Sequence, residues 1–343
     1  MTVIGIDTHK HSLAACAIDQ RGVALAEMTF ANSPAGHRAV ADWATRLDPA
    51  ARFGIEGSAT YGASLARFLI GAGWTVHEVP PQLTRRERIR TRRAGKSDPA
   101  DALAIARVTL TEPQLPPVRR ADATRELQLL VEAREDLVAD MTRTRNRLHA
   151  DLLVLAPGHR GGLVGPRALA RLARQLGRCD GVQAELARDR LRALRRLQVE
   201  VDRLEARIRV RVAGHRLLDL PGIGALTAAK LLGEVGDVRR LRDDNAFAAL
   251  AGVAPIPASS GQVQRMRLNR GGNRQLNRAL HLMALVQLRH HSPAQAFVAR
   301  KRAEGKSQRE AIRALKRHLA RAVFRALQHE AELTAAAAGL IGA

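Results

Sequence analysis

Four carboxylates stand at positions where metal-assisted phosphate chemistry would need them. Asp7 closes an apolar, β-rich run from Val3 to Ile6, and Glu56 closes another from Arg52 to Ile55. Asp98 and Asp101 open a helical stretch three residues apart, a spacing that puts both on one helix face. Carboxylates gathered together repel one another unless a cation binds between them, and the hard ion suited to an all-oxygen site is Mg²⁺ or Mn²⁺. Two such ions about 4 Å apart can assist both the attacking and the leaving oxygen in phosphodiester cleavage. The helical pair also has a purely structural explanation. Asp98 before Pro99 suits an N-cap, Pro99 suits the first helical position, and Asp101 can return a bond in the manner of a capping box. Glu56 can equally be an ordinary strand-end carboxylate. What favours the metal is the occurrence of all four within one plausible fold.

That fold follows from the pattern of elements. Val3 to Ile6, Ser12 to Ile18 and Gly22 to Phe30 read as three strands, with turn residues from Asp19 to Gly22. A helical pattern at Ala39, Val40, Trp43 and Leu47 precedes the short strand at Arg52 to Ile55. A helix from Ala63 to Ala72, a strand from Thr75 to Val79 stopped by Pro80 and Pro81, and a helix from Pro99 through Leu110 complete the order βββαβαβα. A meander followed by strand and helix alternation predicts a mixed sheet with helices on its faces, an α/β domain of RNase H-like type over residues 1–112. In such a sheet the first and fourth strands are neighbours, so Asp7 and Glu56 converge. The basic run Arg85, Arg86, Arg88, Arg90, Arg92, Arg93 and Lys96 leads directly into Asp98. It reads either as a phosphate-gripping arm or as a solvated surface segment.

The remainder reads as helical. A Pro-rich linker, Glu112 to Val118, precedes heptad-spaced Leu127, Leu130, Leu137, Met141, Leu148 and Leu155, with Arg134, Thr144 and Asp151 interrupting the seam. After a Gly/Pro turn at Pro157 to Pro166, a second pattern runs through Leu194, Leu197, Val201, Leu204 and Ile208. Residues 113–214 are therefore expected to form a linker and a long-helix arm, either an intramolecular hairpin or a dimerisation coil. Residues 215–343 are expected to be a helical domain with one irregular insert, Gly252 to Gly272.

Composition narrows the function classes. The 343 residues carry 56 Lys and Arg against 33 Asp and Glu, a formal charge of +23, which suits a nucleic-acid backbone. A hydrophobic content of 46% excludes disorder as the main state, and no apolar window reaches membrane-spanning length. An amino terminus running into Asp7, His9 and Lys10 is unlike a signal peptide, so a cytoplasmic location is expected, nucleoid-associated when on DNA. Cys16 and Cys179 are too few for a four-thiolate zinc module or a disulfide framework. With 3% aromatics there are few rings to stack on bases, so backbone contacts should dominate any nucleic-acid binding. Tyr61, the single tyrosine, lies beside Glu56 rather than among Arg and His, which argues against a tyrosine recombinase.

Gly5-Ile6-Asp7-Thr8-His9-Lys10, Ile55-Glu56-Gly57 with Tyr61-Gly62, and Gly95-Lys96-Ser97-Asp98-Pro99-Ala100-Asp101-Ala102 resemble the DEDD transposases of bacterial insertion sequences, relatives of the Piv-like DNA invertases. The resemblance continues at Leu220-Pro221-Gly222-Ile223-Gly224, Leu250-Ala251-Gly252-Val253-Ala254-Pro255, Ser260-Gly261 and Arg270-Gly271-Gly272-Asn273-Arg274. It implies a RuvC-like domain, a helical arm and a transposase domain in that order. It also implies that Asp7, Glu56, Asp98 and Asp101 are a metal-binding catalytic tetrad, and that Ser260, with Ser259 as its rival, is a nucleophile that becomes linked to a DNA end while a tetrad assists from another subunit. Its partners would be element-end and target DNA, in some members an element-encoded structured RNA, and further copies of the chain as a dimer or tetramer.

Arg265, Arg267, Arg270 and Arg274 then stand where they could hold a scissile phosphate. Leu220 to Gly224 followed by Thr227 to Leu232 resembles a helix-hairpin-helix, in which Gly222 and Gly224 let backbone amides approach a phosphate, or simply form a tight connection. Two other readings stay open: a RuvC-like Holliday-junction nuclease that needs the tetrad but not Ser260, and a basic nucleic-acid-binding protein without catalysis.

Overall fold

The computed structural model describes residues 1–90, 98–113, 115–118, 123–257, 266–267, 269 and 271–341. The chain divides into two compact units, 1–122 and 123–343.

The first unit runs β1 (Val3–Thr8), β2 (Ser12–Ile18), β3 (Ala24–Ala31), α1 (Pro34–Leu47), β4 (Arg52–Ile55), α2 (Ala63–Gly71), β5 (Thr75–Glu78), α3 (Pro81–Arg90) and α4 (Asp98–Thr111). Its five strands lie in the order β3-β2-β1-β4-β5. β1, β2 and β3 form the expected antiparallel meander, while β4 lies parallel to β1 and β5 parallel to β4. This is the mixed sheet that the element pattern predicted. One element departs from the expectation: α3 occupies the start of the basic run. Pro80 and Pro81 do stop β5, but Pro81 also sits at the head of a helix, where its missing N–H costs nothing.

Side chains alternate across the sheet. Ile4 and Ile6 of β1, with Phe53 and Ile55 of β4, pack against Val40, Trp43 and Ala44 of α1 and Leu65 and Leu69 of α2. Val3, Ala14, Cys16 and Ile18 face Ala102, Leu103 and Ala106 of α4 on the other side. The period of two puts Asp7 on the α4 face with Val3 and Gly5. Gly5 and Gly54 are register partners on neighbouring strands, and together they make the trough in which α4 lies. A Cβ on Gly5 would overlap the backbone of Ala102 and Ala106, and one on Gly54 would overlap the Thr109 hydroxyl. The helix that begins with Asp98 can therefore approach the sheet only because these two positions lack side chains.

The second unit contains α5 (Ala123–Leu155), α6 (Pro166–Leu176), α7 (Val182–Val212), α8 (Ala225–Val235), α9 (Asp244–Leu250), the two-residue strands β6 (Ile256–Pro257) and β7 (Met266–Arg267), α10 (Arg274–His290), α11 (Ser292–Ala303) and α12 (Gln308–Ile341), with short 3₁₀ turns at Arg216–Asp219 and Val238–Arg240. α5 and α7 pack on each other within one chain, burying Met141, Leu148 and Leu152 against Leu191, Leu194 and Val201. α6 covers them with Leu169, Leu172 and Leu176, a helix that begins at the last residue of the expected Gly/Pro turn and had no counterpart in the sequence pattern. Two of the polar interruptions in the seam are paired across it. Arg134 donates to Glu205 at 2.8 Å, and Arg190 donates to the buried Asp151. Both pairs link α5 to an antiparallel α7, 17 residues apart on the one and 15 on the other, and they help to fix the alignment of the hairpin. At its base Leu127, Leu130, Leu204, Ile208 and Val212 join the core built by α8, α9, α10 and α12. Among the described residues no helix is long and apolar enough to cross a membrane.

Candidate active site

Three elements of the first unit end at one place. β1 delivers Asp7, whose side chain is only 15% exposed, and the chain leaving β4 delivers Glu56. Glu56 is tied to β1 by its own backbone: its N–H donates to the Ile6 carbonyl, and its carbonyl accepts from the Thr8 hydroxyl at 2.9 Å. The turn beyond it needs Gly57, with φ of +75°, to double back. α4 supplies Asp98 and Asp101 from its first turn. Burial raises the Asp7 carboxyl above its ordinary value; His9 opposes this, and Asp101, Glu56 and Asp98 add to it. All four expected carboxylates are thus within electrostatic reach of one centre.

His9, which the sequence reading passed over, stands in the same cluster. Its Nε2 lies 3.4 Å from Asp7 Oδ2 and 3.4 Å from Asp98 Oδ1. The turn that carries it is anchored by Asn32, whose Nδ2 donates to the His9 and Tyr61 carbonyls at 2.9 Å each, and whose Oδ1 faces Nε2 of the buried His37. β1 ends at Thr8, so His9 lies in the turn beyond it, where no strand period in the sequence marks its side chain.

The basic run is engaged in a different way from a free phosphate grip. Arg88 Nη1 donates to Asp101 Oδ1 at 2.6 Å, so it enters the carboxylate cluster itself. Arg86 meets Glu112 and Arg90 meets Glu87, while Arg85 is exposed on α3. Arg92, Arg93 and Lys96 lie outside the described residues.

In the second unit Ser259, Ser260, Arg265 and Arg270 also lie outside the described residues, and the segments on either side of them are held as follows. β6 and β7 pair antiparallel, with Arg267 on β7. Gly252, at φ of +65°, and Gly272 pack backbone against backbone, and the Asn273 N–H donates to the Leu250 carbonyl at 2.6 Å. Asn277 Nδ2 donates to the carbonyls of Ala251 and Gly252, and its Oδ1 accepts from the buried Lys316. Arg274 is exposed at the start of α10, next to this clasp.

The helix-hairpin-helix reading holds in part. A 3₁₀ turn, not a full helix, precedes the glycine segment, and α8 follows it. Gly222 has φ of +84° and lies close against the Met283 carbonyl, while Gln287 holds the Pro221 carbonyl, so Gly222 serves the packing of the turn on α10. Gly224 is exposed with open space where a side chain would be, at the head of α8.

A DEDD transposase model of IS110 matches residues 4–157, and a model described as "Transposase IS116/IS110/IS902 family" matches residues 214–299. The chain belongs to this transposase family. The family's relatives include the uncharacterized 42 kDa protein of insertion element IS900 from Mycobacterium paratuberculosis, 28% identical over 82% of this chain and 85% of its own length. The 43.6 kDa protein of insertion element IS110 from Streptomyces coelicolor is 28% identical over 95% of this chain and 93% of its own. Among solved structures, Thermus thermophilus RuvC in complex with a Holliday junction substrate aligns with 34% of this chain and 99% of its own, at 20% identity and a TM-score of 0.28. As a member of the IS110 group the chain is an enzyme of insertion sequences with a DEDD nuclease domain, and DNA is its partner. The donor set of this transposase fits the divalent ion that such a domain implies: ligand atoms of Asp7, His9 and Asp98 lie within 4.8 Å of one another, and a cation there would stabilise the charged form of the partly buried Asp7.

Proposed function

We propose that this transposase cleaves and joins DNA at the ends of its element, with Asp7, Glu56, Asp98 and Asp101 as the metal-holding tetrad and Ser260 as the nucleophile. The observation that supports this most is the approach of four carboxylates from the ends of β1 and β4 and the start of α4, with Asp7 raised first by burial and further by the other three. Mg²⁺ or Mn²⁺ held there would offset charge on the scissile phosphate and make the attacking hydroxyl a better nucleophile. Ser260 Oγ attacks phosphorus, the strand oxygen leaves, and the phosphoserine bond keeps the DNA end until a hydroxyl of the second DNA displaces it. Arg267 and Arg274 at the feet of the loop, with Arg265 and Arg270 inside it, neutralise the phosphate during these steps. Gly224 presents backbone amides at the head of α8 to a DNA phosphate. The reading includes a homo-oligomer, in which one subunit's tetrad serves another's serine, and an element-encoded RNA gripped through its backbone by arginines.

The test is joining of cloned element ends with Mg²⁺ present, by wild type, Ser260→Ala and Ser259→Ala, with denaturing gels to show protein linked to DNA. The expected result is an adduct and joined ends for wild type and Ser259→Ala, and neither for Ser260→Ala. An adduct lost only in Ser259→Ala would move the nucleophile by one residue. Nicked DNA without any adduct in wild type would favour a junction nuclease. Sequencing of nucleic acid that purifies with the protein checks the RNA: a recurrent transcript encoded by the element is expected, and random fragments would contradict it.

A further inference from the structure

His9 brings an imidazole nitrogen to a site that the tetrad pattern describes as all oxygen, and three features make it more than a bystander. First, its placement is that of a ligand. In an octahedral shell with bonds of about 2.1 Å, adjacent donor atoms stand about 3.0 Å apart and opposite ones about 4.2 Å. His9 Nε2 is 3.4 Å from one oxygen each of Asp7 and Asp98, and the three atoms all lie within 4.8 Å of one another. A contraction of a few tenths of an ångström would bring them into a common shell, with His9 between two carboxylates. Second, the ring is carried on an anchored turn. The His9 carbonyl is held by Asn32, its N–H donates to the Ser12 carbonyl at 2.9 Å, and Asn32 is fixed in turn by His37 and Tyr61. These bonds fix the backbone from which the ring projects, so the imidazole is offered from a defined position. Third, Asp7 and Asp98 arrive from different elements, a strand and a helix, and His9 is the group that stands between them.

We propose that His9 coordinates the divalent ion through Nε2 together with Asp7 and Asp98, and that this nitrogen biases the site toward Mn²⁺ over Mg²⁺. The proposal rests on the tetrad reading above. Its chemistry is general: Mg²⁺ is a hard ion that keeps oxygen ligands, whereas imidazole binds first-row transition ions well. Taking away the nitrogen should therefore weaken Mn²⁺ selectively and leave Mg²⁺ nearly untouched.

The experiment uses the full chain without DNA, loaded with Mn²⁺ and read by pulsed electron paramagnetic resonance for coupling to directly bound ¹⁴N, and by Mg²⁺ competition for affinity. Wild type, His9→Ala, His11→Ala and Asp7→Asn are compared after a folding check by circular dichroism; His9 and His11 are both exposed, so their loss leaves the core alone. The expected result is nitrogen coupling in wild type and His11→Ala, its loss in His9→Ala, and at least about tenfold weaker Mn²⁺ binding in His9→Ala with Mg²⁺ changed less than about twofold. Mn²⁺ bound in wild type without nitrogen coupling, or coupling that survives in His9→Ala, would overturn the ligand role and show His9 to be an ion-pair partner of the two aspartates. Mn²⁺ binding absent from wild type, or unaffected by Asp7→Asn, would instead bring down the tetrad reading together with this one.

Discussion

Asp7 bears the tension of the site most plainly. Burial and the carboxylates of Asp101, Glu56 and Asp98 hold its folded-state carboxyl above the ordinary value, so the folded protein binds that proton more tightly than the unfolded chain does. Its charge consequently costs stability at neutral pH, and the cost fades as pH falls through the raised value toward the ordinary range at about pH 4. Metal-free Asp7→Asn should melt above wild type at pH 7, with the gap closing toward that lower pH; a variant that melts below wild type at pH 7 would contradict the account. The quartet was legible because each member closes or opens an apolar run, which the sequence displays directly. His9 was not, since a single histidine in a turn carries no period, and only the folded hairpin sets it between Asp7 and Asp98. The tie from Arg88 to Asp101 was hidden for a similar reason: a run of arginines shows charge but not which carboxylate each one meets.

Helices and strands place these groups, and two devices can be broken singly. Gly5→Ala would push α4 off the sheet through the backbone of Ala102 and Ala106, at a cost of about 1–3 kcal/mol, and would carry Asp98 and Asp101 away from Asp7. Urea unfolding should show that loss and Mn²⁺ titration a weakened site; unchanged stability and binding would refute the glycine trough. In the arm, Arg190→Met strands the buried Asp151 carboxylate and should cost about 1–3 kcal/mol, while Asp151→Leu combined with Arg190→Met should recover most of it. No loss on the single substitution would mean that the pair does not hold the register. The sheet order and the long helices were readable from period and turn residues. α3 and α6 were not: α3 is mostly polar and follows two prolines, and α6 has a short pattern of Leu169, Leu172 and Leu176 beside a Gly/Pro-rich stretch. The choice between hairpin and dimerisation coil lay beyond heptad spacing too, and it is the partners of Arg134 and Asp151 that reveal α7 of the same chain across the seam.

At the scale of the whole molecule a formal charge of +23 with 3% aromatics makes phosphate contact the main source of nucleic-acid affinity. Association with a random duplex should fall linearly in a plot of log affinity against log salt, by roughly 10³- to 10⁵-fold between about 50 and 200 mM if six to ten phosphates are met. A flat salt response would point to base stacking or groove contacts that the composition does not provide. The charge suits nucleic-acid binding, and the cutting is what we propose for the carboxylate quartet, so the central claim belongs to the quartet. The most direct measurement is Mg²⁺-dependent cleavage of element-end DNA by wild type and Asp7→Asn, with equal folding and equal DNA binding verified. The account predicts that cleavage vanishes with chelator and falls at least about a hundredfold in Asp7→Asn, as expected when one member of an interdependent catalytic set is removed. Cleavage by Asp7→Asn within about twofold of wild type would contradict it.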